Sequence, residues 1–551
     1  MQMIHNPIIP GMAPDPSIIR VGEDYYIATS TFHWTPAIQI FHSKNLVSWE
    51  LAGYALNKGE VELRGTNTPA GIWAPHLSYD EQEKKFYLVF SHMQNMAGRE
   101  FNAENYVMWT ENINGPWSKP VYMTSIGFDP ALYHEGGRHY LSVLEWETRV
   151  GYQKPGHLVL AEADLANGGI KGKWRRLTTG FTSRGCVEAP QIYKHDKWYY
   201  LLAASGGTGY AHGIEIGRSA DIFGPYEPHP SGEPIITSSP RHLFSLGDPD
   251  AGHFEMYNPH SVMQKAGHGS LVETPQHEWY IAHLMSRPLP NTRLNPLGRE
   301  SALQKVVWTD DGWLQMADGS NLAKMEVSAP LNVQKAEAEA GRYDVFDDFA
   351  AGTYSKKLMT PYHWQDASWV QVKAGRLEIK GANSLFSQHM PSILASRATA
   401  FRYTLQAKLA FEPDHYSETA GIGLYYDSNN WLYAHIALDD REEHKVLSLM
   451  QAKLGERIVF DFDTVPLADT PVEIKIEYDY GVANVFYRER DAAWTAWIEK
   501  IDVSYLSDEG VNGEPGEIGG FTGLFNFMSS VDAHQHDSHA EFYYYKVENQ
   551  D

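Results

Sequence analysis

The chain is almost without cysteine and has comparatively few basic residues. Cys186 is the single cysteine among 551 residues, which excludes an intrachain disulfide and any metal site built from several cysteines. Lysine and arginine number 45 against 69 aspartates and glutamates, so the net charge is −24 at pH 7. This charge argues against nucleic acid or an anionic membrane as the main partner.

Long apolar runs and helix signals are also scarce. No run reaches the length of a transmembrane helix. The N-terminal sequence Met-Gln-Met-Ile-His-Asn-Pro lacks the basic and apolar regions of a secretory signal, so we expect a cytoplasmic protein. Aromatic residues, in contrast, make up 13% of the chain, which favours β-strands. The length predicts two to four domains.

A short phrase recurs five times in the first 280 residues. Its copies begin at Asp15-Pro, Ala74-Pro, Asp129-Pro, Ala189-Pro and His268-Gly. Each copy runs through a polar turn to an aromatic pair or near-pair about ten to twelve residues later, which is typical of a β-hairpin. The starts are 59, 55, 60 and 79 residues apart. Units of this size, with further strands between the hairpins, predict the five blades of a β-propeller. The alternative is a β-sandwich or β-helix with coincidental Asp-Pro dipeptides.

A second all-β domain follows the repeats. Residues 323–341 show no alternating apolar pattern and are predicted to form a linker between a propeller over 1–322 and a second domain over 342–551. In the second domain, short alternating strands return without the Asp-Pro phrase, for example Val472-Glu-Ile-Lys-Ile-Glu-Tyr. This pattern predicts a β-sandwich.

The repeat predicts where functional side chains converge. The innermost strands of a propeller line its channel, so equivalent positions, or the positions just before them, should meet there: Asp15, Trp73, Asp129, Glu188 and His268. Asp15 and Asp129 could instead serve only as turn formers, since Asp-Pro is a common turn dipeptide. That explanation does not cover Glu188, whose apolar surroundings in Cys-Val-Glu-Ala-Pro should raise its pKa.

Carboxyl groups in contrasting surroundings suit glycoside hydrolysis, which needs one protonated and one ionised carboxyl group. Glu188 suits the acid and Asp15 the base that activates water. Asp129 could keep Glu188 protonated by charge repulsion, or orient it or the sugar.

Other residues are candidates for holding a sugar. Its apolar faces could stack on Trp73, Phe128 and either Phe32 or Trp34. Arg299 could donate to sugar hydroxyls, or it could form a structural ion pair with Glu300 or another acid. The lone His268 would most often make a structural hydrogen bond. A histidine cluster near the C-terminus is interpreted as a solvated loop, with adventitious metal binding as the alternative: His534, His536 and His539.

The chain resembles glycoside hydrolase family 43, in particular its β-xylosidase and α-L-arabinofuranosidase members with an appended C-terminal domain. The stretches that carry the resemblance are PDPSIIRVGEDYYIATSTF, IWAPHLSY, GFDPALYH, VEAPQIYK, AGHGSLVET, NPLGRESALQ, DDF, AGIGLYYD and FTGLF. The resemblance implies a five-bladed propeller followed by a lectin-like (concanavalin A-like) β-sandwich.

The resemblance also implies an inverting hydrolase with Asp15 as general base, Glu188 as general acid and Asp129 as pKa modulator. Such an enzyme needs no cofactor for its chemistry. The resemblance also places His268 in the channel, where similar enzymes often hold a water-coordinated calcium ion. An aromatic residue of the second domain would close the pocket and make the enzyme exo-acting; Phe525 is the first candidate and Phe521 the second.

The expected substrate is a short xylo-oligosaccharide, cleaved at its non-reducing end to release xylose, and the expected assembly is a homo-oligomer. Release of arabinose from arabinoxylan fragments is the alternative, left open because Val187-Glu-Ala-Pro-Gln191 and Ser205-Gly-Gly-Thr depart from the usual xylosidase sequences. A non-catalytic sugar-binding propeller would not need three axial carboxylates. A retaining fructan-type hydrolase would open with Asn-Asp-Pro-Asn-Gly, which this chain lacks.

Overall fold

A computed structural model describes residues 2–550 except 97–99, 153–154, 241–255, 332–342, 440, 442–443, 460–463, 469–470 and 512–518. Within these residues the chain forms forty β-strands, numbered β1 to β40 in chain order, and no helix. No helix with the length and apolar character needed to cross a membrane is therefore found in the described part of the chain.

The first domain contains five antiparallel sheets arranged as propeller blades. Blade 1 comprises β2 (Ser17–Val21), β3 (Asp24–Thr29), β5 (Ala37–Ser43) and β6 (Glu50–Leu56). Blade 2 comprises β7 (Gly71–Asp80), β8 (Lys85–Asn95), β9 (Asn102–Thr110) and β10 (Val121–Thr124). Blade 3 comprises β11 (Gly127–Glu135), β12 (Arg138–Trp146), β13 (Gly156–Ala163) and β14 (Ile170–Thr178). Blade 4 comprises β15 (Glu188–His195), β16 (Trp198–Ser205), β17 (Gly213–Ser219), β18 (Glu227–Pro228) and the short β19 (Ile236–Thr237). Blade 5 comprises β20 (Gln264–Glu273), β21 (Trp279–Ser286), β22 (Glu300–Trp308) and β23 (Leu314–Met316). The predicted five-bladed propeller is confirmed.

Side chains join the innermost strands of neighbouring blades, which do not pair as sheets. The Leu77 N–H donates to Ser17 Oγ at 2.9 Å, joining blades 1 and 2. The Ile18 N–H donates to Ser270 Oγ at 3.0 Å, which joins blade 1 to blade 5 and closes the ring. Because buried amides must be hydrogen-bonded, these serines satisfy backbone groups that no ladder reaches.

Part of the predicted linker belongs to the propeller instead. Residues 326–328 form β24 (Glu326–Ser328), which pairs antiparallel with β1 (Met3–His5). A strand of three residues is too short to show an alternating pattern, which is why the sequence indicated a linker over 323–341. Residues 332–341 of that prediction lie outside the described residues.

The second domain packs two antiparallel sheets face to face. One sheet contains β25 (Val345–Asp347), β27 (Val370–Lys373), β28 (Arg376–Lys380), β30 (Arg402–Ala410), β36 (Val472–Asp479), β37 (Val482–Glu489), β38 (Thr495–Asp502) and β40 (His539–Asn549). The other contains β29 (Ile393–Arg397), β31 (Glu418–Asp427), β32 (Asn430–Asp439), β33 (His444–Lys453), β34 (Glu456–Val459), β35 (Val465–Pro466) and β39 (Phe525–Asp532). The largest apolar cluster among the described residues lies between them, as expected of a β-sandwich.

The two domains share a buried interface. The two-residue strands β4 (Trp34–Thr35) and β26 (Thr360–Pro361) pair with each other, one from each domain. Around them an apolar cluster combines Met12, Phe32 and Trp34 of the propeller with Tyr425 and Phe525 of the sandwich, among others. An apolar interface of this kind holds the sandwich against the mouth of the propeller.

Candidate active site

The five repeats share an unusual backbone conformation at their aligned first residue. Each of these residues has a positive φ, although none is glycine: Asp15 (54°), Ala74 (42°), Asp129 (58°), Ala189 (51°) and His268 (53°). In blades 2 to 5 the ladder register also shifts at this point. A bulge with left-handed backbone re-aims neighbouring side chains, at a cost of about 1–3 kcal/mol per strained residue. This shared backbone conformation directs side chains at the start of every innermost strand toward one site.

Three carboxyl groups line one pocket there. Asp15, Asp129 and Glu188 come from blades 1, 3 and 4 and border a cavity of about 420 Å³ at the propeller's end. Asp15 is held on both oxygens, because Oδ2 accepts from Ser30 Oγ at 2.6 Å and Oδ1 lies 3.4 Å from His268 Nδ1. The geometry thus brings together carboxyl groups separated by up to 173 residues in the sequence.

Burial sets the protonation of two of these groups. Burial, and after it the charge of Asp15, raise the pKa of Glu188 to about 7 against the opposing effect of the Arg299 charge. Burial also raises the pKa of Asp129 well above its usual value, and Glu188 and Asp15 add to this rise. The apolar lead-in of Glu188 therefore has the effect that the sequence predicted. Charge repulsion between Glu188 and Asp129 acts on both groups, so together they favour states in which at least one of them is protonated.

Aromatic side chains form one wall of the pocket. Phe32, Trp73 and Phe128 line it as predicted, and Trp73 meets Phe128 edge to face with ring centroids 5.7 Å apart. Phe101 and Trp146, which the sequence did not single out, stack on each other at 4.2 Å and extend the wall. Trp34, the alternative to Phe32, is fully buried under the sandwich instead.

The second domain contributes Phe521 to the pocket, not Phe525. Phe521 lines the cavity, with its ring 6.1 Å from that of Phe32 and 3.8 Å from the Arg299 guanidinium carbon. Phe525 is fully buried and stacks on Trp34 at 3.6 Å. We call the aromatic residue of the second domain that closes the pocket the lid. Phe525, the first candidate for the lid, was wrong because it begins strand β39 and faces the interface core. Phe521 precedes that strand in a loop.

Arg299 faces the pocket and does not pair with its neighbour Glu300. Glu300 is bound by Arg287 through two contacts of 2.7 and 2.8 Å, which excludes the predicted alternative of an Arg299–Glu300 pair. Arg299 is 3% exposed and donates from one terminal nitrogen to the Thr208 carbonyl at 3.2 Å. Its Nε has no hydrogen-bond partner among the described residues.

His212 is a pocket residue that sequence reasoning missed. Its Nδ1–H donates to the Lys265 carbonyl at 3.1 Å, which leaves Nε2 without a partner among the described residues. Burial lowers the pKa of His212 well below its usual value, so the ring is neutral. Because it lies at the start of β17 and not on an innermost strand, the repeat alignment gave no signal for it. Its ring does lie against Gly267 of the Ala-Gly-His-Gly motif, where a Cβ would come within 2.3 Å of it.

His268 lies between the pocket and the propeller axis. Beside the pocket is a second, much smaller cavity of about 10 Å³, bordered by His268, Asp129, His76 and Gln191 among others. This volume corresponds to about one water molecule or ion. The imidazole therefore contacts Asp15 on one side and a polar axial space on the other.

A propeller with three carboxyl groups around an aromatic pocket is the arrangement expected of a glycoside hydrolase, and comparison with known proteins agrees. Residues 4–314 match the family described as glycosyl hydrolases family 43. Residues 346–548 match a β-xylosidase C-terminal concanavalin A-like domain. The chain belongs to glycosyl hydrolases family 43.

Full-length relatives share both domains. The chain is 34% identical over 560 residues to xylosidase/arabinosidase 43B of Humicola insolens, covering 99% of this chain and 97% of that one. It is 33% identical to a β-xylosidase of Bacillus subtilis, with 98% and 99% of the two chains covered. The crystal structure of a xylan β-1,4-xylosidase from Bacillus halodurans C-125 superposes with a TM-score of 0.91 at 36% identity, covering 99% and 100%.

Proposed function

We propose that this glycoside hydrolase is an exo-acting, inverting β-1,4-xylosidase that releases xylose from the non-reducing end of xylo-oligosaccharides. The observation that carries the proposal is Glu188, half-buried and with a pKa raised to about 7, in the same pocket as Asp15. The names of the Bacillus relatives support xylose as the sugar. Phe521, which closes one side of the pocket, supports exo action because a closed pocket admits a chain end and not a chain interior.

In the proposed reaction Glu188 donates its proton to the glycosidic oxygen as that bond breaks. Asp15, held by Ser30 and His268, accepts a proton from a water molecule that attacks the anomeric carbon from the opposite face. Attack from that face inverts the anomeric configuration. After the step Glu188 is ionised and Asp15 protonated, and exchange with solvent restores both.

Asp129 has an orienting role in this proposal. A modulator acting by charge repulsion would have to be ionised, whereas burial and its neighbours hold the pKa of Asp129 well above its usual value. A protonated Asp129 can instead donate a hydrogen bond to the sugar or to Glu188 and fix the direction of proton transfer.

Polar groups around the cavity can hold the sugar hydroxyls. Arg299 Nε is a buried donor and His212 Nε2 a buried acceptor, and neither has a partner within the described part of the protein. Buried groups of this kind cost free energy until a ligand satisfies them. Together with the faces of Trp73 and Phe128, they define a small polar and aromatic subsite.

Release of arabinose is the second candidate function, favoured by the printed name of the Humicola relative, a xylosidase/arabinosidase. Catalytic efficiencies on nitrophenyl β-xyloside and nitrophenyl α-L-arabinofuranoside, measured on one enzyme preparation, decide between the two. The proposal predicts the larger value for the xyloside.

The roles of the two carboxyl groups are tested by the leaving group. Glu188→Ala should lose about 10²–10⁴-fold in kcat/KM on xylobiose. It should keep much more activity on dinitrophenyl xyloside, whose leaving group needs little protonation. Asp15→Ala should lose activity on both substrates alike. Near-wild-type turnover of either variant on xylobiose would contradict the assignment.

A calcium ion near His268 is part of the proposal. Asp129 and Gln191 border the small axial cavity and their side chains carry oxygen, the ligand atom that Ca²⁺ prefers. A cation there would lie beside Asp129 and His268 and would favour the ionised form of Asp129, which would then orient Glu188 and the sugar as a hydrogen-bond acceptor instead of a donor. Loss of activity after treatment with a chelator, and recovery with Ca²⁺ but not Mg²⁺, is the expected result.

The homo-oligomeric assembly and the cytoplasmic location stay predictions from the sequence. Light scattering coupled to size exclusion measures the first, and fractionation of the source cells measures the second.

A further inference from the structure

A cluster of metal-binding side chains lies at the far end of blades 2 and 3, away from the pocket. Asp80 ends β7, the strand that carries Trp73, and His134 lies on β11 five residues after Asp129. At about 3.3 Å per residue, His134 is about 17 Å along its strand from that catalytic-site carboxyl group. His139, on β12, completes the cluster across the hairpin.

Three ligand atoms of this cluster face one point. The Nδ1 atoms of His134 and His139 are 2.7 Å apart, and they lie 3.9 and 3.7 Å from Asp80 Oδ2. The point equidistant from three atoms with these separations is about 2.0 Å from each, which matches the bond lengths of Zn²⁺ to histidine nitrogen and carboxylate oxygen. The side chains are 6%, 10% and 13% exposed for Asp80, His134 and His139.

The outer ring nitrogen of each histidine lies close to a polar oxygen atom. His134 Nε2 lies 2.9 Å from Ser78 Oγ, and His139 Nε2 lies 3.3 Å from Glu83 Oε1. A proton on each Nε2 leaves both Nδ1 atoms unprotonated, and a carboxylate that accepts from the outer nitrogen is a usual partner of a metal-binding histidine.

Hydrogen bonds also fix the orientation of the Asp80 carboxylate. Asp80 Oδ1 accepts from the backbone N–H groups of Gln82 and Glu83 at 2.7 and 3.1 Å. Oδ2 is left to face the two imidazoles. Three electron-pair donors in a buried triangle repel one another unless a cation lies between them.

We propose that Asp80, His134 and His139 bind one divalent transition-metal cation, with Zn²⁺ as the best-fitting probe, and that this ion ties blade 2 to blade 3. Two imidazoles and one carboxylate suit Zn²⁺ and its first-row neighbours better than Ca²⁺ or Mg²⁺. A water molecule would bind as a fourth ligand at an open position outside the plane of the three atoms. The ion has an entry path, since His134 and Ser78 also border a cavity of about 370 Å³ that opens at this end of the channel.

Zinc binding by the full-length protein tests the proposal. Protein stripped with a chelator is titrated with Zn²⁺ by calorimetry, and bound metal is counted after desalting. We expect the wild type to hold one more Zn²⁺ than Asp80→Asn or His139→Gln, and to gain a few degrees in Tm with zinc that the variants do not gain. Asp80→Asn keeps the oxygen that accepts the two turn amides, so its fold should persist.

The control is His536→Gln, in the exposed histidine cluster near the C-terminus, which should bind as much zinc as the wild type. Co²⁺ provides a readout that needs no variant, because a four-coordinate site gives intense visible bands and free aqueous Co²⁺ does not. Equal zinc content in wild type and Asp80→Asn would overturn the proposal. A wild-type Co²⁺ spectrum without such bands would overturn it as well, and would assign the short Nδ1–Nδ1 contact to a shared proton.

Discussion

At the scale of single residues, Glu188 lies between two opposing charges. Burial and the charge of Asp15 raise its pKa and Arg299 lowers it, and the resulting pKa is about 7. Since the general acid must be protonated, kcat/KM should fall as pH rises through about 7. This decline on the alkaline side of the pH profile is the expected sign of the Glu188 carboxyl group.

Arg299→Gln tests that assignment. Removal of the positive charge should raise the pKa of Glu188, so the alkaline decline of kcat/KM should move to higher pH while overall activity falls. The matched control is Arg176→Gln on an outer strand, which should leave the profile unchanged. An alkaline decline that stays in place or moves to lower pH in Arg299→Gln would contradict the role of Glu188 as acid.

Phe521 and Phe525 differ in burial, and their alanine variants should fail in different ways. Phe521→Ala removes a pocket wall and a cation–π partner of Arg299, so kcat/KM should fall about 10-fold with little change in Tm. Phe525→Ala opens a cavity under Trp34 and should cost about 3–5 kcal/mol of stability, with KM nearly unchanged in the folded enzyme. Thermal unfolding and steady-state kinetics of both variants check this, and the reverse pattern would restore Phe525 as the lid.

At the scale of elements, two loops from different domains place the lid. The Leu524 N–H donates to the Pro296 carbonyl at 2.8 Å, which joins the Phe521 loop to the loop that carries Arg299. Gly298 and Gly523 touch at the crossing: a Cβ on Gly523 would lie 2.5 Å from the Leu297 carbonyl carbon. Such close contact leaves no room for a side chain.

Gly523→Ala should therefore separate the loops. Its φ of 76° alone costs about 1–2 kcal/mol for alanine, and the clash adds to this. We expect a lower kcat/KM together with a lower Tm. Gly352→Ala is the control, because Gly352 has a φ of 74° with nothing within 4 Å of its Cβ position. Unchanged kcat/KM in Gly523→Ala would show that the crossing does not position the lid.

Local patterns were sufficient to predict the blades but not the details of their edges. Each blade hairpin combines a polar turn with an aromatic pair within about twelve residues, and a pattern this short can be recognised in the sequence alone. Strand β24 pairs with residues more than 300 positions away, so its three residues gave no signal. The same holds for His212 and for the Asp80–His134–His139 cluster, which only the packing of neighbouring elements brings together.

The order of the carboxyl groups was predictable for a different reason. A repeated strand start forces Asp15, Asp129 and Glu188 to one end of the propeller, whatever their separation in sequence. The alternation of apolar and polar residues could not predict whether Phe521 or Phe525 closes the pocket. Both lie in Phe-Thr-Gly-Leu-Phe, and their orientations differ because β39 begins at Phe525.

At the scale of the whole molecule, a buried ion cluster holds the two domains together near the pocket. Lys265 of the propeller, fully buried, lies 2.6 Å from Glu509 Oε1 and 3.4 Å from Asp508 Oδ2 of the sandwich. The Asp508 carbonyl accepts from the N–H groups of Gly519 and Gly520, directly before Phe521. Domain docking and lid position are thereby coupled.

Lys265→Met should leave two buried carboxyl groups without their cation. Breaking a buried pair in this way costs about 3–5 kcal/mol, so Tm should fall clearly, and KM should rise as the Phe521 loop loses its anchor. Lys373→Met, which breaks a surface pair with Glu378, should change Tm little. Calorimetry and kinetics measure both, and a Tm drop without any rise in KM would show that docking and lid are independent.

The central claim is that Asp15 activates water on the face of the sugar opposite Glu188. The most direct measurement is ¹H NMR of the xylose first released from nitrophenyl β-xyloside, which yields a single xylose, recorded before the anomers interconvert. The account predicts that α-xylose appears first, by inversion of the β-linkage. Initial release of β-xylose would mean a retaining mechanism and would contradict the assignment of Asp15 as the base.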